Sequence, residues 1–127
     1  NDLVMVLRKK GDNKAALKVC EHALKKHKND DTLHRNKGNI LYALDEPEKA
    51  LEAFEAATDL NPYVVDTWVN KGTVLWKAMK QREEALAAFD KALEINPNFM
   101  AAVDSRISLE AEIKANRPSF FKRLFGG

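Results

Sequence analysis

Small and aromatic residues recur along the chain at the spacing of one helix face. Ala85, Phe89 and Ala92 stand at positions i, i+4 and i+7, which places them on one side of an amphipathic helix. They belong to the stretch EALAAFDKALEINP from Glu84 to Pro97, and the stretch KALEAFEAATDLNP from Lys49 to Pro62 is nearly the same. Both stretches end in a proline, which cannot continue a helix and disfavours helical backbone at the preceding residue. The pattern therefore predicts the same helical unit twice.

A second helix precedes each of these stretches. Trp68, Gly72 and Leu75 lie on one side of the helix that comes before the turn MKQREE, and the corresponding positions one unit earlier are His34, Gly38 and Leu41. The step from Gly38 to Gly72 defines the period of the repeat, whereas the step from Ala50 to Ala85 is one position longer. We therefore expect the second unit to carry one extra residue in the turn between its helices.

The order and period of these residues resemble the tetratricopeptide repeat, a helix–turn–helix unit of about 34 residues. The resemblance implies an all-α, right-handed superhelical solenoid of antiparallel helix pairs, with about seven helices and a short C-terminal segment. In this arrangement Gly38 and Gly72 mark close approaches of two helices, and phenylalanines fill the space between adjacent units. The chain departs from the family pattern at several slots, which are Lys37 and Lys71 for Leu, Leu41 and Leu75 for Tyr, and His34 for Trp.

The repeat divides the chain into an array and a tail. Shifting the unit back by one period puts Ala16, Cys20 and Ala23 in its alanine and phenylalanine slots. A helix that begins after Pro97 lacks a second helix and is expected to cap the array, since repeat arrays need capping ends. The predicted boundaries are an array over 1–117, with a partial repeat at 1–30, full repeats at 31–64 and 65–99 and a capping helix at 100–115, and a Phe-rich basic tail at 118–127.

The resemblance also implies that the first helix of each unit lines a concave groove in which a partner's peptide segment binds. Positions on these helices that packing does not use are Arg35, Asn36, Asn39, Tyr42, Asn70, Thr73 and Trp76. Asn36 and Asn70, like Tyr42 and Trp76, are one period apart and form rows across the groove. Asparagine amides can bond a peptide backbone, and Tyr and Trp offer rigid apolar area. Alternatively, the asparagines only solvate this face, and Tyr42 and Trp76 pack against the next turn.

Some members of the family hold the C-terminal carboxylates of chaperones in a clamp of basic and asparagine side chains. Arg35, Asn39 and Asn70 match three slots of that clamp in spacing. The two remaining slots fall on Ala101 and Ser105, which carry no charge. Co-chaperone-like binding of a C-terminal carboxylate is therefore a minor alternative, although Arg35 offers a bidentate site for some carboxylate.

The tail combines aromatic and basic residues. Its apolar residues are Phe120, Phe121, Leu124 and Phe125, with Lys122 and Arg123 between them. Three interpretations remain open: the tail folds back over the end of the array, enters a groove of its own or a neighbouring copy, or docks on a membrane surface or a partner. Two charges and four apolar residues make a weak lipid anchor, so membrane binding is not favoured. The second interpretation leads to a self-associating scaffold, paired through the tail or the array ends, as the alternative to peptide binding.

Charge and chemistry narrow the functional classes. The formal net charge of the 127 residues is +2, so the overall composition does not indicate nucleic-acid binding. The single cysteine, Cys20, cannot form an internal disulfide, which favours a reducing, cytoplasmic location. The three histidines, His22, His27 and His34, lack the partners and spacing of a metal site. The sequence contains no catalytic constellation or phosphate-binding glycine loop, so we expect neither an enzyme nor a bound cofactor.

Overall fold

A computed structural model of the chain describes residues 11–117. Over this range the fold is all-α and contains no strand, as predicted. The six helices are α1 (Asn13–Lys26), α2 (Asp31–Ala43), α3 (Pro47–Leu60), α4 (Val65–Thr73), α5 (Arg82–Ile95) and α6 (Met100–Ala115), and α4 continues directly into a π-helical segment at Val74–Ala78. Successive helices are joined by short turns, so neighbours run antiparallel. The helix predicted at the N-terminus lies outside the described residues.

Polar side chains define where the helices begin. The carboxylates of Asp12 and Asp30 accept hydrogen bonds from the backbone N–H of Ala15 and Leu33, at 3.1 and 3.2 Å, and so cap α1 and α2. Pro47 is at the first position of α3, where its missing N–H costs nothing. These caps explain where α1 and α2 begin, and Pro47 marks the start of α3.

The turns between units repeat one local structure. Asn61 accepts a hydrogen bond from the backbone N–H of Tyr63 at 3.2 Å, and Asn96 does the same for Asn98 at 3.1 Å. A proline follows each asparagine and prevents the preceding helix from continuing. Each Asn-Pro pair therefore ends one unit and turns the chain into the next.

The two repeat glycines are points of close helix approach. A Cβ built on Gly38 would lie 2.6 Å from Cε1 of Phe54, and one on Gly72 would lie 2.7 Å from Cε1 of Phe89. Both distances are too short for a real side chain, so the predicted role of the glycines is confirmed. The phenylalanines do more than was predicted, because each ring also lies against the glycine of its own unit.

The apolar core is continuous from one unit to the next. Phe54 belongs to a buried cluster that also contains Val74 of the following unit. Phe89 belongs to another cluster that contains Leu109 of α6. Each ring therefore packs within its own unit and also contacts the helix that follows.

His34 and Trp68 occupy the same slot in consecutive units and form equivalent hydrogen bonds. Trp68 donates its Nε1–H to the carbonyl oxygen of Pro62 at 2.8 Å, and His34 Nε2 lies 2.8 Å from the carbonyl oxygen of Lys28. In both units the ring therefore ties the first helix to the turn that precedes it. Histidine replaces the family's tryptophan here without loss of that bond.

The extra residue of the second unit lies in a helix, and not in the turn where we expected it. The turns at 44–46 and 79–81 have the same length. By contrast, α2 has 13 residues, whereas α4 with its π-helical segment runs from Val65 to Ala78, one residue more. Met79 N–H bonds to the carbonyl of Val74 at 3.1 Å, five residues back, as a π-turn requires. Beyond this segment, equivalent positions of the two units are offset by one residue more than the repeat period.

Candidate peptide-binding groove

Two asparagines join the first helices of adjacent units. Asn70 on α4 donates its Nδ2–H to Oδ1 of Asn39 on α2 at 3.0 Å. Both side chains are only half-buried. Within residues 11–117 the amide nitrogen of Asn39 and the carbonyl oxygen of Asn70 have no other partner, so each remains free to bond a ligand. This hydrogen-bonded pair, Asn39 and Asn70, which we call the asparagine bridge, therefore presents donors and an acceptor side by side.

Arg35 stands one helical turn before Asn39 on α2. Its side chain is half-buried, and no carboxylate of the described part of the chain lies within ion-pair distance of it. Residues at i and i+4 lie on one face of a helix, so the guanidinium and the Asn39 amide point to the same side. A carboxylate beside the asparagine bridge would therefore find an uncompensated cation.

Tyr42 is exposed on the groove face, whereas the hydroxyl of Thr73 is already bonded within its own helix. Tyr42 is 36% exposed and continues the same face of α2 beyond Asn39. The Thr73 hydroxyl donates to the carbonyl oxygen of Val69 at 3.0 Å, so its proton is already used within its own helix. We define the candidate groove as Arg35, Asn39, Tyr42, Asn70 and Thr73.

Asn36 and Trp76, the two other members of the predicted set, are buried. Asn36 is 6% exposed and Trp76 is 9% exposed. The indole of Trp76 packs edge-on against Phe89, with ring centroids 6.2 Å apart, and donates its Nε1–H to Oε2 of Glu112 on α6 at 2.9 Å. Trp76 is therefore packed and not exposed, although against α5 and α6 and not against the next turn, and neither residue offers much groove surface.

The π-helical segment explains why the row from Tyr42 to Trp76 does not form. Positions one repeat period apart correspond only up to this segment. After it the offset is one position longer, so Trp76 takes the place of the buried Leu41, and Lys77 takes the place of the exposed Tyr42. The unequal spacing of the glycines and of the alanines indicates that the second unit has one extra residue, but it does not indicate where that residue is inserted.

Lys77 is a residue of this face that the sequence analysis missed. Its ammonium group lies 3.8 Å from the centroid of the Trp76 indole, close enough for a cation–π interaction.

Glu112 on α6 forms a polar cluster with Trp76 and Arg82, because it accepts the Trp76 bond and its Oε2 also lies 2.6 Å from Arg82 Nε. The hydrogen bonds from Arg82 and Trp76 hold the pKa of the Glu112 carboxyl below its usual value. The cluster fastens α6 to the preceding unit.

The last two slots of the carboxylate clamp carry no cation. Ala101 is exposed and Ser105 is half-buried, both on α6. The neighbouring cation, Arg106, lies 2.7 Å from a carboxylate oxygen of Asp90 on α5 and is engaged away from these slots. The clamp therefore has three of its slots filled by suitable side chains on α2 and α4, and lacks charge on α6.

Several predicted features lie outside the groove. Cys20 is buried, with its Sγ 3.2 Å from the carbonyl oxygen of Leu33, and burial raises the pKa of its thiol.

Among residues 11–117 no three His, Cys, Asp or Glu side chains lie together as metal ligands would. None of the described helices is both long and apolar enough to cross a membrane. The tail residues Phe120, Phe121, Leu124 and Phe125 fall outside the described range, and tail docking stays a prediction.

Comparison with known proteins agrees with the repeat pattern. The family model described as tetratricopeptide repeat matches residues 1–65 and 35–98. No curated protein sequence matches the chain. Among solved structures, the first TPR of Spaghetti (RPAP3) bound to the HSP90 peptide SRMEEVD has a TM-score of 0.85 at 18% identity, with 89% of each chain covered.

Two other solved structures are similar over most of the chain. The second TPR domain of human RPAP3, in complex with the HSP70 peptide SGPTIEEVD, has a TM-score of 0.80 at 17% identity, covering 86% of this chain and 90% of that one. YrrB, described as a TPR protein with an unusual peptide-binding site, has a TM-score of 0.77 at 31% identity. The match covers 82% of this chain but 53% of YrrB, so the chain spans about half of that protein. With the family match extending over most of its described helices, the chain belongs to the tetratricopeptide repeat family.

Proposed function

We propose that the chain is a protein-interaction module that binds an extended peptide segment of a partner along the candidate groove. The observation that carries this proposal is the asparagine bridge between α2 and α4, with Arg35 one turn away and in no ion pair with any of residues 11–117. The bridge joins two consecutive units, so a ligand bound there contacts both units at once.

The groove has complementary groups for each part of a peptide. The free donors of Asn39 and the free acceptor of Asn70 match the carbonyl and N–H groups of an extended backbone. Arg35 can bind a carboxylate of the peptide in a bidentate manner. The exposed ring of Tyr42 supplies apolar area with a polar tip, as binding hot spots often do.

The comparisons support a peptide as the ligand class. Two of the similar structures were solved with chaperone peptides that both end in EEVD, and a third is described by its peptide-binding site. Because Ala101 and Ser105 cannot hold a terminal carboxylate, we propose an internal peptide segment as the ligand. Binding of a chaperone C-terminus is the second candidate, favoured only by the fit of Arg35, Asn39 and Asn70.

A random-peptide display library panned against the whole chain would test this proposal. Peptides selected in this way would be titrated by isothermal calorimetry against the wild type and against Asn39→Ala and Asn70→Ala. We expect each substitution to weaken binding about tenfold, which corresponds to ~1.4 kcal/mol. Asn29→Ala, on the exposed turn before α2, is the matched control and should bind as the wild type does.

Two outcomes would decide the matter. If the selected peptides bind both groove variants as tightly as the wild type, the groove is not the binding surface. The same peptides, synthesised with a free or an amidated C-terminus, separate the two candidates. An internal segment should bind equally well in both forms, whereas a terminal carboxylate ligand should lose most of its affinity when amidated.

A further inference from the structure

The second helices of the first two units carry opposite charges at equivalent positions. Three exposed lysines of α1 correspond, one repeat period later, to three exposed carboxylates of α3. The pairs of equivalent positions are Lys14 and Glu48, Lys18 and Glu52, and Lys25 and Asp59. Because the positions are equivalent in the repeat, the two rows are displayed on the same outer side of the molecule.

Each row is a straight stripe opposite the buried face of its helix. On α1 the buried residues are Ala16 and Cys20, and on α3 they include Ala50 and Phe54. We call the lysine row the basic stripe (Lys14, Lys18, Lys25) and the carboxylate row the acidic stripe (Glu48, Glu52, Glu55, Asp59). Both belong to second helices, so they lie away from the candidate groove on the first helices.

The charges of the two stripes are not neutralised within the described part of the chain. No ion pair between residues 11 and 117 includes a member of either stripe. The ion pairs that other residues of α1 and α3 form are Glu21 with Lys37 at 3.7 Å and Lys49 with Glu46 at 3.1 Å. A cleft of about 430 Å³, lined by residues such as Leu17 and Ala53, opens between α1 and α3. Glu52 of the acidic stripe lines this cleft on α3, and Leu17 and Glu21 line it on α1.

We propose that this outer face binds the same face of a second copy of the chain, related by a two-fold axis. In such a pair the two-fold axis runs along the helices, so α1 of one copy lies parallel to α3 of the other, and every contact occurs twice. The spacings match, because Lys14, Lys18 and Lys25 stand at positions i, i+4 and i+11, and so do the carboxylates they would face, counted in the same direction. Those facing residues are Glu48, Glu52 and Asp59, in that order.

The same register brings one pair of like charges together. Glu21 would face Glu55 of the other copy, but its carboxylate already lies 3.7 Å from the ammonium of Lys37 in its own chain. Moving the register by one helical turn in either direction keeps at most two of the three lysine–carboxylate pairs. The aligned register is therefore the one that the charges favour.

The expected association is weak and depends strongly on salt. Exposed ion pairs contribute little individually, and their attraction is screened beyond about 10 Å at ~0.1 M salt and beyond about 3 Å at ~1 M. This salt dependence distinguishes the proposed contact from association through the apolar residues of the tail, which added salt would not weaken. The proposed contact is also separate from peptide binding, since the groove faces the other side.

Sedimentation equilibrium of the whole chain tests the proposal. At ~0.5 mM protein, we expect the average mass to rise toward that of a dimer in ~25 mM salt and to return to that of a monomer in ~500 mM salt. A wild-type chain that stays monomeric in low salt would overturn the proposal, and so would association that persists unchanged in high salt.

Two charge-reversed variants locate the contact. One carries Lys14→Glu, Lys18→Glu and Lys25→Glu, and the other carries Glu48→Lys, Glu52→Lys and Asp59→Lys. Each variant alone has two stripes of the same sign and should remain monomeric in low salt. An equimolar mixture should form a heterodimer, because each stripe then faces one of opposite sign.

A control changes an exposed carboxylate of α5 that lies outside both stripes. It carries Glu84→Lys and should associate as the wild type does. Asp90 on the same helix is left unchanged because it pairs with Arg106. Circular dichroism would verify that each variant keeps its helical content, since all of the changes are at exposed positions. Persistent association of either stripe variant alone, or a mixture that remains monomeric, would contradict the paired-stripe contact.

Discussion

Gly72 lies directly against the ring of Phe89, so that a Cβ at position 72 would be 2.7 Å from Cε1 of the ring. Phe89 is completely buried, and it cannot move aside without opening the core around it. The two helices of the second unit can approach this closely only because position 72 has no side chain. The relationship is repeated in the preceding unit between Gly38 and Phe54, at 2.6 Å.

Replacing Gly72 with alanine is therefore expected to destabilise the fold. Overpacking a core costs about 1–3 kcal/mol, and the better helix propensity of alanine offsets about 1 kcal/mol of this. We expect a net loss of up to about 2 kcal/mol in the free energy of unfolding, measured by urea denaturation. In a Phe89→Leu background the same substitution should cost clearly less, and an equal cost in both backgrounds would argue against direct contact.

Lys80 is a position where glycine should stabilise the protein. Its φ is +58°, in the left-handed region that costs a residue with a Cβ about 1–2 kcal/mol, and it lies in the turn before α5. Because glycine also loses more entropy on folding, Lys80→Gly should raise the free energy of unfolding by about 1 kcal/mol or less. Lys91→Gly, in the middle of α5, is the control and should lower it by about 1 kcal/mol. Destabilisation by both substitutions would show that the turn does not strain Lys80.

Deleting Lys77 should remove the π-helical segment and expose Trp76. The shortened unit would have the same helix length as the first, with Trp76 in the position that Tyr42 occupies there. A Trp68→Phe background leaves Trp76 as the only tryptophan, so its fluorescence reports its environment. We expect the emission maximum to shift to longer wavelength relative to Trp68→Phe alone. An unchanged maximum would mean that the indole stays buried whatever the length of the helix.

The Glu112 carboxylate should stabilise the attachment of α6 in a pH-dependent manner. Bonds from Arg82 and Trp76 lower the pKa of Glu112 from its usual value of 4.5, so the folded state favours the charged form. The stabilisation is therefore fully present above about pH 4.5 and is lost as the pH falls through the lower pKa of the folded state.

The variant Glu112→Gln isolates this contribution. It should be less stable than the wild type at about pH 7, and the difference in unfolding free energy should shrink toward about pH 3. Asp104→Asn, exposed on the same helix and in no ion pair among the described residues, provides a control for changing a carboxylate on α6. A stability difference that does not depend on pH would show that the charge of Glu112 is not what fastens α6.

The candidate site was predictable only in part. Arg35 and Asn39 follow from helical spacing alone, because residues four apart on one helix share a face whatever the surroundings. Trp76 was misplaced, since counting forward by one fixed period assumes that both units have α-helical backbone throughout. The bond between Asn39 and Asn70 joins residues of different units, and no local pattern specifies that two such amides meet.

The sequence by itself determined the repeat, its helix pairs and the role of its glycines. These features depend on local physics: the 3.6-residue period of a helix, the helix-breaking effect of Pro62 and Pro97, and the lack of a side chain at Gly38 and Gly72. Only the tertiary structure decided where the extra residue of the second unit went. A longer turn and a π-turn have the same residue count, and packing selects between them because the π-turn adds Trp76 to the buried surface between α4, α5 and α6.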